Sequence, residues 1–216
     1  MGKINDLKDQ ALASLRGKWG SFVGLTFIYM LLVGLASSLS SFGTIFEGSS
    51  FATLALFLSG SGFLLTILML PMSMGFSVAH LHSSRQDLPA DIGDLFYGYK
   101  NFGHVLVTLL VMVFAIIGGC ILLIVPGIIL AFAYAMVPYI LRDHPELSAM
   151  ETLQMSRAMM KGHKMDLFLL ELSFIGWFFL ALLTFGIGYL WLIPYMQMTI
   201  TKFYEEIRLE FEESLE

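Results

Sequence analysis

Cysteine is almost missing from this chain. Its single thiol, Cys120, lies in an apolar stretch, which rules out an internal disulfide and a cysteine metal cage and leaves the redox compartment unspecified. Charge is scarce as well: 13% of the 216 residues are Asp, Glu, Lys or Arg, against about a quarter in an ordinary soluble domain. With 57% apolar residues and a mean hydropathy of +0.78, lipid rather than water is the expected solvent. No dense run of Lys and Arg is present to neutralise phosphates, and a formal charge of -5 with a pI near 5.5 argues against nucleic acid as a partner. Gly-rich phosphate loops, serine or cysteine nucleophile motifs and metalloprotease His-Glu spacings are also missing. Nothing therefore marks an enzyme or calls for a cofactor.

What is present is a succession of apolar segments. Six can be drawn, at 21–39, 62–79, 105–125, 128–141, 167–184 and 187–203. Each must be helical, because unpaired backbone groups in hydrocarbon are costly and the alternation of a barrel strand is missing. A crossing uses about 20 residues, so one bundle consumes nearly the whole chain, and 1–216 is expected to be a single polytopic membrane domain. Its end, 205–216, is an acidic tail holding Glu205, Glu206, Glu210, Glu212, Glu213 and Glu216, expected as a solvated helix end. Small residues at 36–38 could imitate a signal-peptidase site, but the first apolar run follows a long polar segment and is close to a full span, unlike a secretory signal.

Charge then orients the segments, since cytoplasmic loops hold the excess of Lys and Arg. With the amino terminus inside, all twelve basic residues fall on one side. Lys3, Lys8, Arg16 and Lys18 precede the first span; Arg85 and Lys100 follow the second; Arg142, Arg157, Lys161 and Lys164 follow the fourth; Lys202 and Arg208 close the sixth. The opposite connections, at 44–50, 125–127 and 185–188, hold none. A multi-pass protein of the bacterial plasma membrane with both termini cytoplasmic is expected.

The spans pair into three hairpins through short outer turns, at Pro126-Gly127 and at 185–188, while the first pair is less regular. Its outer loop holds Glu47, and 51–59 either extends the second helix or forms a short interfacial piece. Each hairpin follows an amphipathic lead-in that ends in Gly, a basic residue and an aromatic: Arg16-Gly17-Lys18-Trp19, Tyr97-Gly98-Tyr99-Lys100, and Lys161-Gly162-His163-Lys164 before Phe168. In the first, Ile4, Leu7, Ala11 and Leu15 share one helical face. In the third, Ser148 and Glu151 have the spacing of a capping box. Three loosely repeated units are expected, 1–79, 91–141 and 145–204, each a cytoplasmic interfacial helix followed by a hairpin.

Residues 172–177 (Leu-Ser-Phe-Ile-Gly-Trp), 186–191 (Gly-Ile-Gly-Tyr-Leu-Trp), Pro194-Tyr195 and Phe203-Tyr204 carry a resemblance to an uncharacterised family of bacterial integral membrane proteins, a domain of unknown function. Val137-Pro138-Tyr139 with Asp143 and Pro145, and Ser156 with 161–164, look like further segments of that family. More distantly, the chain is similar to the membrane region attached to some glycerophosphodiester phosphodiesterases. It lacks their soluble catalytic domain, so the resemblance implies no such activity.

Individual residues offer modest chemistry. Glu171 is the acid placed clearly inside a span, and an intramembrane carboxylate is a functional hypothesis by default. Its place near the cytoplasmic end favours structural anchoring by Arg157, Lys161 or Lys164 over a proton relay. His80, His82, His104, His144 and His163 share one side but lack metal-motif spacing, so no metal is expected. Pro71, Pro138 and Pro194, with Gly60 and Gly62, are candidate helix breaks of the kind that can build transport sites, although Pro and Gly are common in ordinary membrane helices. Small residues four apart, such as Gly75 with Ala79, suit close helix packing, and Trp19, Trp177 and Trp191 suit interfacial anchoring. Arg16, Lys18, Lys100, Arg157, Lys161 and Lys164 are candidate contacts for anionic headgroups. The favoured function is a non-enzymatic membrane scaffold or accessory protein that meets anionic lipid, a membrane protein partner or a second copy at its cytoplasmic face. The alternative is a small transporter or channel.

Overall fold

The computed structural model of the chain describes residues 2–44 and 52–214, with backbone alone at 39, 40, 42–44 and 52–58. Glu47 and Glu216 lie outside these residues. Among the described residues all regular structure is helical: α1 (Gly2–Leu15), α2 (Trp19–Thr44), α3 (Ala52–Leu68), α4 (Leu70–Gln86), a 3-10 segment (Ile92–Tyr99), α5 (Phe102–Leu122), α6 (Ile124–Ala133), α7 (Val137–Asp143), α8 (Ala149–Met159), α9 (Lys164–Leu172), α10 (Ile175–Leu183) and α11 (Tyr189–Glu213).

Five stretches are long and apolar enough to cross a bilayer: Trp19–Ser38, Ser59–Gln86, Phe102–Leu122, Ile124–Asp143 and Lys164–Leu183. Their outward faces are greasy, with Ile121 80% exposed and Leu122 and Leu183 each 81% exposed. Water would drive such a belt into aggregates, whereas lipid chains are as apolar as leucine. The chain therefore reads as a multi-pass membrane protein. The sixth expected segment, 187–203, is not among the five. It forms the front of α11, where Gln197, Lys202 and the glutamates from Glu205 onward dilute the apolar character. The acidic residues 205–213 of the tail form the last turns of this helix, the helix end expected from the sequence.

The interruptions follow proline rather than glycine. Helix α3 runs unbroken through Gly60 and Gly62, and 52–59 extends it, so the expected break there is not found. The chain breaks instead at Met69, which places Pro71 in the first turn of α4, and at 134–136, which places Pro138 in the first turn of α7. Glycine keeps its amide donor and can stay in a helix; proline has none and its ring collides with the carbonyl one turn back. Pro194 alone stays inside a helix, α11. The turn expected at Pro126-Gly127 falls three residues earlier, on extended Leu123, and Pro126 occupies the first turn of α6, where its missing donor costs nothing. A further interruption at 173–174 carries no proline, and there Lys8 of α1 donates to the Ser173 carbonyl at 3.2 Å.

The lead-ins link the expected units in a ring. Helix α1 buries Leu7, Ala11 and Leu15 and lies along α11, with Lys3 2.9 Å from Glu206. The 3-10 segment packs on α4, and α8 packs on α5 and α7, where the Ser156 hydroxyl donates to the Ala133 carbonyl at 2.9 Å. Each lead-in thus rests on the closing helix of a neighbouring unit. Helix α8 starts with the expected capping box, in which the Ser148 amide donates to Glu151 at 2.8 Å. The second lead-in differs from its counterparts because a β-carbon at Gly98 would strike the Pro71 carbonyl. It is pressed against α4 and wound as a 3-10 turn.

Gly17 and Gly162, which close the first and third lead-ins, have φ of +79° and +98°, a conformation that costs other residues about 1–2 kcal/mol. Gly162→Ala is expected to lower the unfolding midpoint in detergent by several degrees. Gly103→Ala, where an added β-carbon meets nothing within 4 Å, should leave the midpoint unchanged or slightly raised.

Candidate functional site: a polar junction of three helices

Helices α4, α7 and α11 meet along one line and bring together polar residues far apart in sequence. Gln197 of α11 donates through its side-chain nitrogen to Ser77 of α4 at 3.0 Å and to the Tyr139 hydroxyl of α7 at 2.8 Å. The Thr201 hydroxyl donates to the Gln197 carbonyl at 2.9 Å, so Tyr139 must donate to Thr201 across their 3.2 Å contact. The hydrogen bonds close into a loop. Tyr139 and Thr201 are fully buried, where an unpaired hydroxyl would cost about 1–3 kcal/mol.

One layer further along α11, the junction becomes charged. Tyr139 stacks on Tyr204 with centroids 4.7 Å apart, and the Tyr204 hydroxyl donates to Asp143 at 2.8 Å. Arg85 grips the same carboxylate with two nitrogens, each at 2.7 Å, and its Nε lies 3.4 Å from Glu205. Glu205 also accepts from Ser84 at 2.7 Å and stands 3.6 Å from Lys202. A planar guanidinium suits this task because its forked donors match a carboxylate. Asp143 is nearly buried, with 11% of its side chain exposed, so its charge depends on these partners.

A second station lies beside it. Arg142 donates from Nε to His82 Nε2 at 3.0 Å, which makes Nδ1 the protonated nitrogen facing Asp94 at 3.0 Å. Arg142 and Lys100 lie 5.2 and 4.7 Å from the Tyr97 ring centroid. His80 is isolated in apolar surroundings. Its Nδ1 donates to the Phe76 carbonyl at 2.8 Å, Phe22 and Phe76 flank the ring, and Nε2 has no partner among the described residues. The five histidines are therefore dispersed, and among the described residues no group of three or more His, Cys, Asp or Glu could hold a metal.

The expected site residues fall into two sets. Lys18 is bound to Asp87, and Lys100 is engaged by an aromatic ring alone. Arg16, Arg157, Lys161 and Lys164 have no protein partner among the described residues. Glu171, half-buried at the end of α9, likewise has no side-chain partner among the described residues. The anchoring expected from Arg157, Lys161 or Lys164 is not made among the described residues: Arg157 lies in α8, Lys161 in the turn after it, and Lys164 opens α9 two turns before Glu171. Pro138 adjoins Tyr139 of the junction, Pro71 stands at the start of α4 before Ser77, and Gly60 and Gly62 lie in α3. Sequence reasoning missed Ser77, Tyr139, Gln197, Arg85, Asp143 and Tyr204. A signal existed: Gln197 is the sole amide side chain in 187–203.

Cavities open on the perimeter. A slot of about 350 Å3 is lined by all three tryptophans, Trp19, Trp177 and Trp191, with Tyr195 and Leu180. A groove of about 230 Å3 lies between α6 and α9, and a third hollow of about 390 Å3 lies between the end of α8 and the end of α11.

Residues 111–210 match the model of a family described as a protein of unknown function (DUF975). The match runs from the middle of α5 to the last turns of α11 and includes every segment on which the family resemblance was based. No curated protein and no solved structure matches the chain. The more distant likeness to the membrane region of glycerophosphodiester phosphodiesterases has no counterpart in these comparisons.

Arg85→Ala and Asp143→Ala should each cost about 2–3 kcal/mol, because each strands a partly buried charge. The double variant should cost clearly less than their sum, as measured by detergent unfolding of all three proteins.

Proposed function

We propose that this chain is a six-span membrane scaffold or accessory protein whose cytoplasmic rim holds anionic lipid headgroups. The sixth crossing is the front of α11. At about 1.5 Å per residue the 25 residues of this helix exceed a hydrocarbon core of about 30 Å, so its acidic last turns stand in water. Both termini then lie on the cytoplasmic side with all twelve basic residues, and three lead-in and hairpin units surround the polar junction.

One observation carries the reading. Among the described residues seven cations lack a carboxylate partner; Lys8 is taken up by the Ser173 carbonyl and Arg142 by His82. The other five, Arg16, Lys100, Arg157, Lys161 and Lys164, lie at or within a few residues of the three places where a lead-in turns into a long helix. Charges at the junction of α4, α7 and α11 are neutralised within the protein; those at the rim are left for something else. Beside an acidic membrane surface each contributes about 1 kcal/mol of attraction. The alternative, passage of a solute, draws on the polar set Ser77, Tyr139 and Gln197. Against it stand the closed hydrogen bonds of that set and the position of the cavities on the perimeter.

In vesicles of mixed phosphatidylglycerol and phosphatidylcholine, the annulus of the wild type should be enriched in phosphatidylglycerol. Replacing Arg16, Arg157, Lys161 and Lys164 together by Gln should remove most of that enrichment, as measured by quenching of tryptophan emission with brominated lipids. Equal quenching by the two brominated lipids in the wild type would refute the reading. Protein-dependent solute flux abolished by Gln197→Leu would favour transport. In a Cys120→Ser background, a cysteine at Leu123 or Gly186 should react with an impermeant thiol reagent from outside the cell only.

A further inference from the structure

The groove between α6 and α9 is a seam between the second and third hairpins. Ile128, Ile129 and Phe132 form one wall, Met165 and Phe168 the other, and Lys164 stands at the end nearest the preceding turn. Phe132 and Phe168 meet edge to face across it, with centroids 5.8 Å apart. Apart from Lys164 the lining is apolar, and Ile128 and Ile129 are nearly half exposed. Water has no partners to hold it there. A protein helix, about 10 Å across with its side chains, is too wide for a hollow of about 230 Å3. A single hydrocarbon chain fits both the width and the chemistry.

Charge decides which hydrocarbon. Lys164 has no protein partner among the described residues, although Asp166 and Glu171 are close in sequence and Asp166 faces His163 at 3.5 Å. Lys164 lines the groove and is partly buried, and a lysine at a membrane boundary lays its stem along apolar surface while its ammonium reaches the headgroup layer. We infer that one acyl chain of an anionic phospholipid lies in the α6–α9 groove, with its phosphate against Lys164. The lipid completes the packing at the open edge of the contact between α6 and α9. This assignment rests on the headgroup reading above and narrows it to one place.

Native mass spectrometry of the full chain in mild detergent, titrated with phosphatidylglycerol or phosphatidylcholine, tests it. The wild type should retain one phosphatidylglycerol in preference to phosphatidylcholine. Lys164→Gln should weaken that binding roughly fivefold and leave phosphatidylcholine unaffected. Ile129→Trp, which fills the groove from an exposed position, should abolish retention of the tight lipid while helical content stays unchanged. If the wild type prefers phosphatidylglycerol and both variants retain it equally, the groove assignment is overturned and the rim reading stands. If the wild type shows no preference, both fall. Displacement of the lipid by millimolar inorganic phosphate would also overturn the assignment, because the site would then be reading the anion and not the chain.

Discussion

An ionised carboxylate beside hydrocarbon must be neutralised by a neighbour, and the junction of α4, α7 and α11 is organised by that requirement. Asp143 receives two nitrogens of Arg85 and the hydroxyl of Tyr204, so one side chain of α7 ties down α4 and α11 at once. Desolvating these charges is costly, and the pairing does not by itself make the bundle more stable than a greasy core of equal volume. What it fixes is register. A slip of any of the three helices by one residue would leave a charge stranded, at a cost of several kcal/mol. The Gln197 loop above it supplies a second fixed point, and two points determine both the height and the rotation of α11 against α4 and α7.

Helices so constrained at the centre leave the rim to different physics. Lys18, which the sequence groups with the other rim cations, is absorbed by Asp87, a residue in the loop after α4. Its neighbour Arg16 is not absorbed, and neither are Arg157, Lys161 and Lys164. The left-handed turns at Gly17 and Gly162 redirect the chain into the next helix, and the basic residue just before each, Arg16 and Lys161, is exposed. The same two glycines allow α1 and α8 to lie across neighbouring helices instead of continuing into their own. Lys8 shows how far this integration goes, since it reaches from α1 to the interrupted backbone between α9 and α10.

Much of the architecture was legible because hydrocarbon imposes a simple rule on sequence. Apolar runs, helical form, the amphipathic face of α1 and the Ser148–Glu151 cap all followed from periodicity and spacing. The boundaries were less legible. Gly60 and Gly62 looked like a break but lack no hydrogen bond, while Pro126 looked like a turn but fits the first turn of a helix. The polar junction could not be read, because Ser77, Tyr139 and Gln197 come from three helices whose relative rotation no local pattern encodes. For Glu171, sequence proximity suggests basic partners, but no ion pair with Arg157, Lys161 or Lys164 forms among the described residues, although Lys164 lies on the same helix.

The placement of the prolines bears on the choice between a scaffold and a passage. Discontinuous helices serve solute sites when the break frees backbone groups to coordinate a ligand. Pro71 and Pro138 instead occupy first turns, where the missing amide is one the helix would not have used. Few groups are released there. Pro194 does remove a donor within α11, next to the junction, yet the nearest polar side chain, Gln197, is committed to Ser77 and Tyr139. A solute entering the centre would have to break this closed set before gaining anything from it, whereas a lipid at the rim meets cations that have no competing partner. The energetic gradient therefore points outward, toward the membrane surface, and the proposed role follows it.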